Sequence, residues 1–251
     1  MPGIALLLLL FAIAPRASFA EEAVLAPPVA RAVPKTEASA ALVTTIREQE
    51  IAECRSGEIA TWNDGRDRRA VGPTLRLAYR HDDAPSWFER SVVENLVTRA
   101  ARAWAQCGVP IAIIPAGDAD LRSPDTVLLK WDEAGSLGNF GLANLSQRTL
   151  SFGPKAFVLL RSRNPGHDAT QTLQMVISHE MGHFFGLMAH SRRCVDVLSY
   201  YHDADGGKCY TRDPAGMRAG FEYRHGLPTA CDIERCRRVN GFAPLPGGRL
   251  P

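Results

Sequence analysis

The chain has 251 residues, enough for one large domain or two small ones, and its 45% apolar and 22% charged residues are ordinary for a globular protein. A formal net charge of +2 excludes the large basic excess of nucleic-acid-binding proteins and of polybasic membrane-binding segments. We therefore expect no nucleic acid among its partners.

The first twenty residues indicate an export signal. An apolar run covers residues 4–14, which is too short to span a bilayer comfortably. Pro15 breaks the run, and residues 18–20 offer the small side chains that a signal peptidase reads. No Lys or Arg precedes the run, so an uncleaved membrane anchor remains the alternative. We expect residues 1–20 to be a cleaved signal peptide, with no stable membrane association afterwards.

Two further regions follow the signal. Residues 21–45 are rich in Ala and Pro and predict a linker or a short pro-segment, and residues 46–251 form one domain. The six cysteines fit disulfides in an oxidising compartment, so we expect a secreted or periplasmic protein. Sequence alone does not choose among the connectivities, but Cys231 and Cys236 lie too far around one predicted helix to pair with each other.

Hydrophobic periodicity predicts a strand, a long helix and then several strands. The first long helix covers residues 84–107, where apolar side chains recur at three- and four-residue steps, and Gly108 ends it. The strand over 137–145 is broken by glycines and is expected at a sheet edge. The predicted strands are, in chain order, residues 75–80, 110–115, 126–131, 137–145 and 149–152.

A second long helix is predicted to begin after Asp168, which with Gln171 has the form of a capping box, and to end at Gly186 in a left-handed turn. An irregular region covers residues 187–226, and a last helix covers 229–241. Strands grouped between two long helices predict an α+β fold.

The second long helix carries the sequence SHEMGHFFGLMAHS over residues 178–191. His179 and His183 are four apart, so they lie on one helical face and can share a zinc ion. Glu180 lies beside the first of them and can act as general base towards a zinc-bound water. Catalytic zinc also needs a third protein ligand. The alternative is a pair of hydrogen-bonded helix histidines without metal.

This stretch resembles the metzincin zinc peptidases, whose pattern is H-E-x-x-H-x-x-G-x-x-H, and is most similar to the secreted matrixin-like and snapalysin-like branch. His179, Glu180, His183 and Gly186 match the pattern directly. In that family the glycine lets the chain turn so that a third ligand reaches the zinc.

The resemblance puts the third ligand at Ala189, which cannot coordinate a metal, and His190 follows immediately. We expect His190 to be the third ligand, with one extra residue absorbed in the turn after Gly186. The alternative is that His190 is a surface residue and the site is incomplete.

The sequence CVDVLSYY, residues 194–201, is similar to the metzincin Met-turn, with Leu198 in place of methionine. Leu198 stands eight residues after His190, the step that matrixins use, which supports His190 as the ligand. Leucine keeps a similar apolar volume. Tyr200 resembles in position a tyrosine that stabilises the oxyanion in the astacin and serralysin branches. The alternative is that Tyr200 only packs in the wall of the specificity pocket.

The resemblance to snapalysin-like enzymes also implies a Cys194–Cys209 disulfide and leaves the other four cysteines unassigned. A free Cys54 could block the zinc, as a pro-segment cysteine does in matrixins. The even number of cysteines and the sequence around Cys54 argue against that.

The resemblance implies a mixed, mostly parallel sheet packed on two long helices, with a small irregular C-terminal subdomain and a final helix. Residues 46–251 would be the metallopeptidase-like catalytic domain, and the edge strand over 137–145 would add substrate as an extra strand. Two aspartates within residues 202–207 could bind calcium, but a solvated turn is the simpler interpretation.

We therefore expect a secreted, monomeric, zinc-dependent endopeptidase with one catalytic zinc, acting on a peptide or protein substrate. His179, His183 and His190 would bind the metal, and Glu180 would move the proton from water to the leaving amine. Ala189 and Leu198 motivate the alternative, a non-catalytic secreted module of the same fold with an incomplete or structural metal site. An enzyme with one narrow substrate is a third interpretation.

Overall fold

The fold was analysed in a computed structural model, which describes residues 46–118, 123–202, 205–217 and 222–250. The predicted signal peptide and linker, residues 1–45, lie outside these ranges. Within them, no helix has the length and apolar character needed to cross a membrane.

A five-stranded sheet forms the centre of the fold. Its strands are β1 Leu75–Arg80, β2 Ile111–Ile114, β3 Thr126–Trp131, β4 Gly141–Asn144 and β5 Thr149–Phe152. They lie in the order β2-β1-β3-β5-β4, and every neighbouring pair is parallel except β4 with β5. The prediction of an α+β fold with a mixed, mostly parallel sheet is confirmed, and β4 lies at the edge as expected.

Two long helices pack against each other beside this sheet. The helices are α1, residues 46–52, α2 Arg90–Trp104, α3 Glu133–Ser136, α4 Pro154–Arg163, α5 Ala169–Phe184 and α6 Ala230–Asn240. Trp104 at the end of α2 is fully buried, and its indole Nε1 donates to the Ser178 carbonyl of α5 at 2.9 Å. Because this buried donor is paired, the large ring fixes α2 against α5 without a desolvation penalty.

The predicted start of α2 is wrong. The helix begins at Arg90, whereas Trp87 and Phe88 precede it. Phe88 is buried by ring contacts with Trp131 and Phe157, both with centroids 5.3 Å away. Trp87 and Phe88 have the spacing of a buried helical face, but they precede the helix, and Phe88 packs in an aromatic cluster beside the sheet. The end of α2 is as predicted, because Gly108 adopts a left-handed conformation after a short 3-10 turn.

Helices α1, α3 and α4 were not predicted. Helix α4 begins with Pro154 at its first turn, a position where the missing amide hydrogen costs nothing. Phe157 is its one fully buried side chain, whereas Val158 and Leu159 are about half exposed. The apolar residues of α4 therefore do not follow the stripe that sequence periodicity detects.

Three disulfides stabilise the fold, and two of them join distant parts of the chain. The pairs are Cys54–Cys231, Cys107–Cys236 and Cys194–Cys209. The expected Cys194–Cys209 pair is confirmed, and Cys231 and Cys236 are indeed not bonded to each other. Cys54 is oxidised, so it offers no free thiol for a latency device in this structure. Three disulfides are consistent with an exported protein.

The irregular region after α5 is organised around a buried arginine. Arg193 is fully buried, pairs with Asp196 at 3.1 Å and donates to the Glu50 carbonyl of α1 at 2.9 Å. The Glu50 carboxylate in turn accepts from the hydroxyls of Thr211 and Tyr223. Buried charges persist only when paired in this way, so these bonds hold α1 and the irregular region together as one unit.

Candidate metal centre

The helix that carries the histidines has well-defined ends. Asp168 caps its start by accepting from the Thr170 amide at 2.9 Å, without the box predicted with Gln171. Gly186 ends it with a φ of +96°. A Cβ at Gly186 would lie 1.8 Å from the Arg68 carbonyl oxygen, so only glycine allows the chain to turn here.

Three histidine rings converge beyond this turn. The ring centroids of His179 and His183 are 5.3 Å apart, and His190 lies 5.2 Å from the first and 5.3 Å from the second. One nitrogen of each ring lies within 4.8 Å of the other two. The rings thus form a nearly equilateral triangle, and His190 belongs to it while Ala189 does not.

Hydrogen bonds orient the two helix histidines. Nδ1 of His179 lies 2.8 Å from the Val197 carbonyl, and Nδ1 of His183 lies 2.7 Å from the Leu187 carbonyl. A carbonyl oxygen can only accept, so both rings carry their proton on Nδ1. Nε2 of each ring is therefore unprotonated and keeps a lone pair. Histidines that bind a metal through Nε2 have the same arrangement, with Nδ1 hydrogen-bonded to a protein oxygen.

The third histidine bonds to a carboxylate instead. Nδ1 of His190 lies 2.6 Å from Oδ2 of Asp64, and the His190 amide donates to the other carboxylate oxygen at 2.8 Å. Nε2 of His190 is buried and has no hydrogen-bond partner among the described residues. A buried nitrogen acceptor that faces two further imidazoles fits a cation, because no hydrogen-bond donor there satisfies it.

Burial keeps the three imidazoles neutral. Desolvation lowers the pKa of His179 well below its ordinary value, lowers that of His183 to about 4, and lowers that of His190 despite Asp64. Neutral imidazole is the form that binds metal ions. Three neutral imidazoles are a known ligand set for catalytic zinc, so these residues fit the metal.

A second group of metal-binding residue types, Cys54, Glu58 and Cys231, also lies together. It does not fit a metal, because its two cysteines form a disulfide and offer no thiolate.

An extended segment of residues 60–71, here named the N-terminal strap, positions His190. It runs antiparallel to residues 184–192, the chain that leaves α5. Its backbone bonds are Arg192 N to Ala60 O, Trp62 N to His190 O, Arg68 N to Gly186 O and Val71 N to Phe184 O. The strap gives the irregular ligand segment the hydrogen bonds that a helix or sheet would otherwise supply.

A second strap carboxylate holds the extra residue between Gly186 and the third histidine. Oδ1 of Asp67 accepts from the amides of Met188 at 2.8 Å and Ala189 at 3.1 Å. Arg235 of α6 forms two 2.6 Å bonds to the same carboxylate and donates to the Ala189 carbonyl. These bonds fix the inserted residue, so that His190 rather than Ala189 reaches the other histidines.

The turn over residues 194–201 lies beneath α5. Leu198, the residue at the predicted methionine position of this turn, is fully buried. A Cβ added at Gly182 would lie 3.1 Å from both Leu198 methyl carbons and 2.8 Å from Trp104. The absence of a side chain at Gly182 therefore lets the turn approach the helix between its two histidines.

Two buried acids fasten this turn to α6. Oδ2 of Asp232 accepts from the Val197 and Thr229 amides at 3.0 and 2.9 Å, and Asp196 accepts from the Thr229 hydroxyl at 2.6 Å. Burial, together with the charge of Asp196, raises the pKa of Asp232 to about 7. The carbonyl of Val197 is the one that orients His179, so the two acids support this histidine indirectly.

The remaining predicted site residues flank the histidines. Oε2 of Glu180 accepts from the Ala143 amide of β4 at 2.9 Å, and burial raises the Glu180 pKa to about 7. The Tyr200 ring is 44% exposed and stacks on His190, with centroids 3.8 Å apart and an interplanar angle of 18°. The structure therefore brings all five predicted site residues together.

Sequence analysis missed the residues that hold the site, namely Asp64, Asp67, Asp196, Asp232 and Arg235. Asp196 lies within the turn over 194–201 and Asp232 belongs to the capping box of α6, but neither pattern indicates the partner that the side chain holds elsewhere in the chain. Each of the five acts on a residue distant in sequence. The calcium prediction over residues 202–207 falls partly outside the described residues, because Asp203 is not among them.

Comparisons with known proteins add little. No family model and no curated protein matches the chain. Among solved structures, a chain of the GM1-bound form of the ECX AB5 holotoxin is similar at a TM-score of 0.41 and 14% identity, covering 70% of this chain and 87% of that chain. A likeness this weak carries no argument about function.

Asp64→Asn is expected to weaken zinc binding by about 10- to 100-fold, because the third histidine loses its charged orienting partner. The measurement is competition with a chromophoric chelator for zinc. The control is Asp82→Asn, which removes the same charge from a side chain that is 72% exposed. Equal zinc affinity in the two variants would contradict the role assigned to Asp64.

Asp232→Asn is expected to change how stability depends on pH. The unfolded carboxyl titrates at about pH 4 and the folded one at about 7, so the folded state binds more protons between these values. The free energy of unfolding of the wild type therefore falls as pH rises through this window. Relative to wild type, the variant should gain about 2 kcal/mol between about pH 5 and about pH 8.

The measurement is denaturant unfolding of both proteins at the two pH values. Asp168→Asn serves as the control, because hydrogen bonds from Thr170 lower the pKa of that capping carboxyl. Asp168 is ionised in both states over this range, so its substitution should cost the same at either pH. A difference for Asp232→Asn that does not change with pH would refute the buried proton.

Proposed function

We propose that this protein is a secreted zinc-dependent endopeptidase of the metzincin type. The observation that carries the proposal is the triangle of His179, His183 and His190. Each ring has its Nδ1 hydrogen-bonded and its Nε2 free. Hydrogen-bonded helix histidines without a metal role would not require three neutral rings aimed at one point.

The metal would be held by these three imidazoles. When bound there, zinc supplies a Lewis acid that polarises a peptide carbonyl and makes water acidic near neutral pH. Three protein ligands leave one coordination position open, as a catalytic rather than a structural zinc site requires.

Glu180 is suited to moving the proton. Its Oε2 is occupied by the Ala143 amide, which fixes the carboxylate and leaves Oε1 to accept a proton from water. A pKa raised to about 7 by burial lets the same oxygen take up the proton and then release it to the leaving amine. The carboxylate follows His179 directly in the chain, so it lies beside the ligands.

Strand β4 is suited to binding an extended peptide. It pairs with β5 on one side, and among the described strands it has no neighbour on the other. A substrate can add to that free edge as a further strand through backbone hydrogen bonds. Ala143 of β4 also donates to Glu180, so a peptide bound along β4 would have its backbone close to the general base.

Tyr200 is proposed to stabilise the oxyanion. Its ring stacks on His190, and its exposure leaves the hydroxyl accessible to a ligand in the cleft. Burial, and then the nearby charge of Glu180, raises its pKa, so the hydroxyl keeps its proton and can donate it in a hydrogen bond.

Glu180→Gln is expected to reduce peptidase activity by about 10²- to 10⁴-fold, because the amide cannot accept the proton. The measurement is cleavage of unfolded casein by the purified protein with added zinc. Glu94→Gln on the exposed face of α2 is the matched control and should retain activity. A chelator should abolish cleavage, and zinc should restore it.

Casein cleavage that survives in Glu180→Gln would contradict the proposed mechanism. Zinc binding without cleavage of casein or of a broad peptide library would instead favour a non-catalytic module with a metal site.

Tyr200→Phe is expected to lower kcat by about 10²-fold with little change in KM, because phenylalanine keeps the stacking on His190 and loses the oxyanion donor. The measurement is steady-state cleavage of a fluorogenic peptide. Tyr200→Leu removes the ring as well and reports the packing contribution. A Tyr200→Phe variant with wild-type kcat would assign Tyr200 to packing alone.

A further inference from the structure

A large cleft lies along the first half of α5, the helix whose second half carries His179 and His183. Its volume is about 960 Å³, and its lining runs from Asp168 to Met175 along the first half of α5. Met175 lies four residues, one helical turn or roughly 6 Å, before His179. Phe140, which leads into β4, lines the same cleft. A peptide held at the edge strand would therefore place neighbouring side chains in this space.

Three arginines line the cleft, and two of them have no carboxylate partner among the described residues. Arg224 is paired with Glu222 at 2.8 Å. Within the described part of the chain, Arg47 of α1 donates to the backbone carbonyls of Tyr223 and Arg224, at 3.0 to 3.2 Å, and to no carboxylate. Arg99 of α2 is exposed and forms no ion pair within the described ranges. The cleft therefore carries positive charge that its own acids do not neutralise.

The two unpaired guanidinium groups act on the same part of the wall. Burial is the main cause of the lowered pKa of His225, and the positive charges of Arg47 and Arg99 lower it further. Both guanidinium groups therefore act on His225. The imidazole Nδ1 of His225 lies 2.9 Å from the Leu227 carbonyl and must donate to it, which leaves Nε2 as an acceptor. His225 therefore adds no positive charge at neutral pH but contributes a polar surface.

The acids that line the cleft are already engaged. Glu222 accepts from Arg224 and from the Tyr201 hydroxyl, and Asp168 accepts from the Thr170 amide and hydroxyl as the cap of α5. Neither carboxylate is aimed at Arg47 or Arg99. A ligand with a carboxylate of its own could therefore form ion pairs with these two arginines.

We propose that this cleft selects peptides with acidic side chains, whose carboxylates pair with Arg47 and Arg99. That such peptides are substrates rests on the proposed function, whereas the binding preference does not depend on cleavage. The proximity of Phe140 and β4 favours a peptide over a free anion, because an extended strand and the cleft can be occupied together.

The test uses the inactive Glu180→Gln protein, so that bound peptides stay intact. Three fluorescent peptides of equal length differ only in a central block of Glu, Gln or Lys, and binding is measured by fluorescence anisotropy. The Glu peptide is expected to bind about fivefold more tightly than the Gln peptide, the scale of one exposed charge pair. The Lys peptide should bind most weakly, and added salt should reduce the differences.

Charge reversal locates the effect. Arg99→Glu should abolish the preference for the Glu peptide. Arg102→Glu should not, because Arg102 is an exposed arginine on the same helix that does not line the cleft. Both substitutions change the net charge equally, so a long-range effect of total charge would appear in both. Equal losses in the two variants, or no preference in the parent protein, would overturn the proposal.

A cleavage assay separates this proposal from the peptidase itself. The same peptides are offered to the protein with Glu180 intact and zinc added. Acidic binding without any cleavage would keep the cleft proposal and reject the peptidase. Cleavage of all three peptides at equal kcat/KM would keep the peptidase and reject acidic selection.

Discussion

The whole candidate site depends on the hydrogen bonds that hold an irregular segment after α5. Two of the proposed ligands, His179 and His183, stand on one helix, whose backbone geometry places them on the same face without outside help. The third does not, because the chain has turned at Gly186 and has no regular structure of its own. Asp64 and Asp67 of the strap replace that missing regularity: one carboxylate fixes the ring of His190, and the other fixes the residue inserted before it.

Electrostatics and packing support the same arrangement from below. Burial keeps the imidazoles neutral, and the turn at Leu198 supplies both an apolar floor and the carbonyl that orients His179. That turn is fastened in its own right by Asp196 and Asp232, whose proximity costs free energy at neutral pH. These two buried acids lower the free energy of unfolding at neutral pH, but they hold the turn that orients His179.

Local signals in the sequence predicted the local structure well. The cap at Asp168, the stop at Gly186 and the strands β3 and β5 all follow from short-range chemistry, and the spacing to Leu198 favoured His190. The strap has no hydrophobic period, so nothing in residues 60–71 marked it. The Cys54–Cys231 and Cys107–Cys236 bonds, like the Asp67–Arg235 pair, join residues more than a hundred positions apart, and no local rule detects such pairings.

The same long separations impose an order on folding. Both α6 contacts that support the proposed ligands come from the last part of the chain: Asp232 holds the Val197 amide, and Arg235 holds Asp67. A chain whose last residues have not yet been synthesised can form α5 with its two histidines before α6 has appeared. The bonds that Arg235 and Asp232 supply form only when the C-terminal helix docks, so an incomplete chain carries an unfinished site.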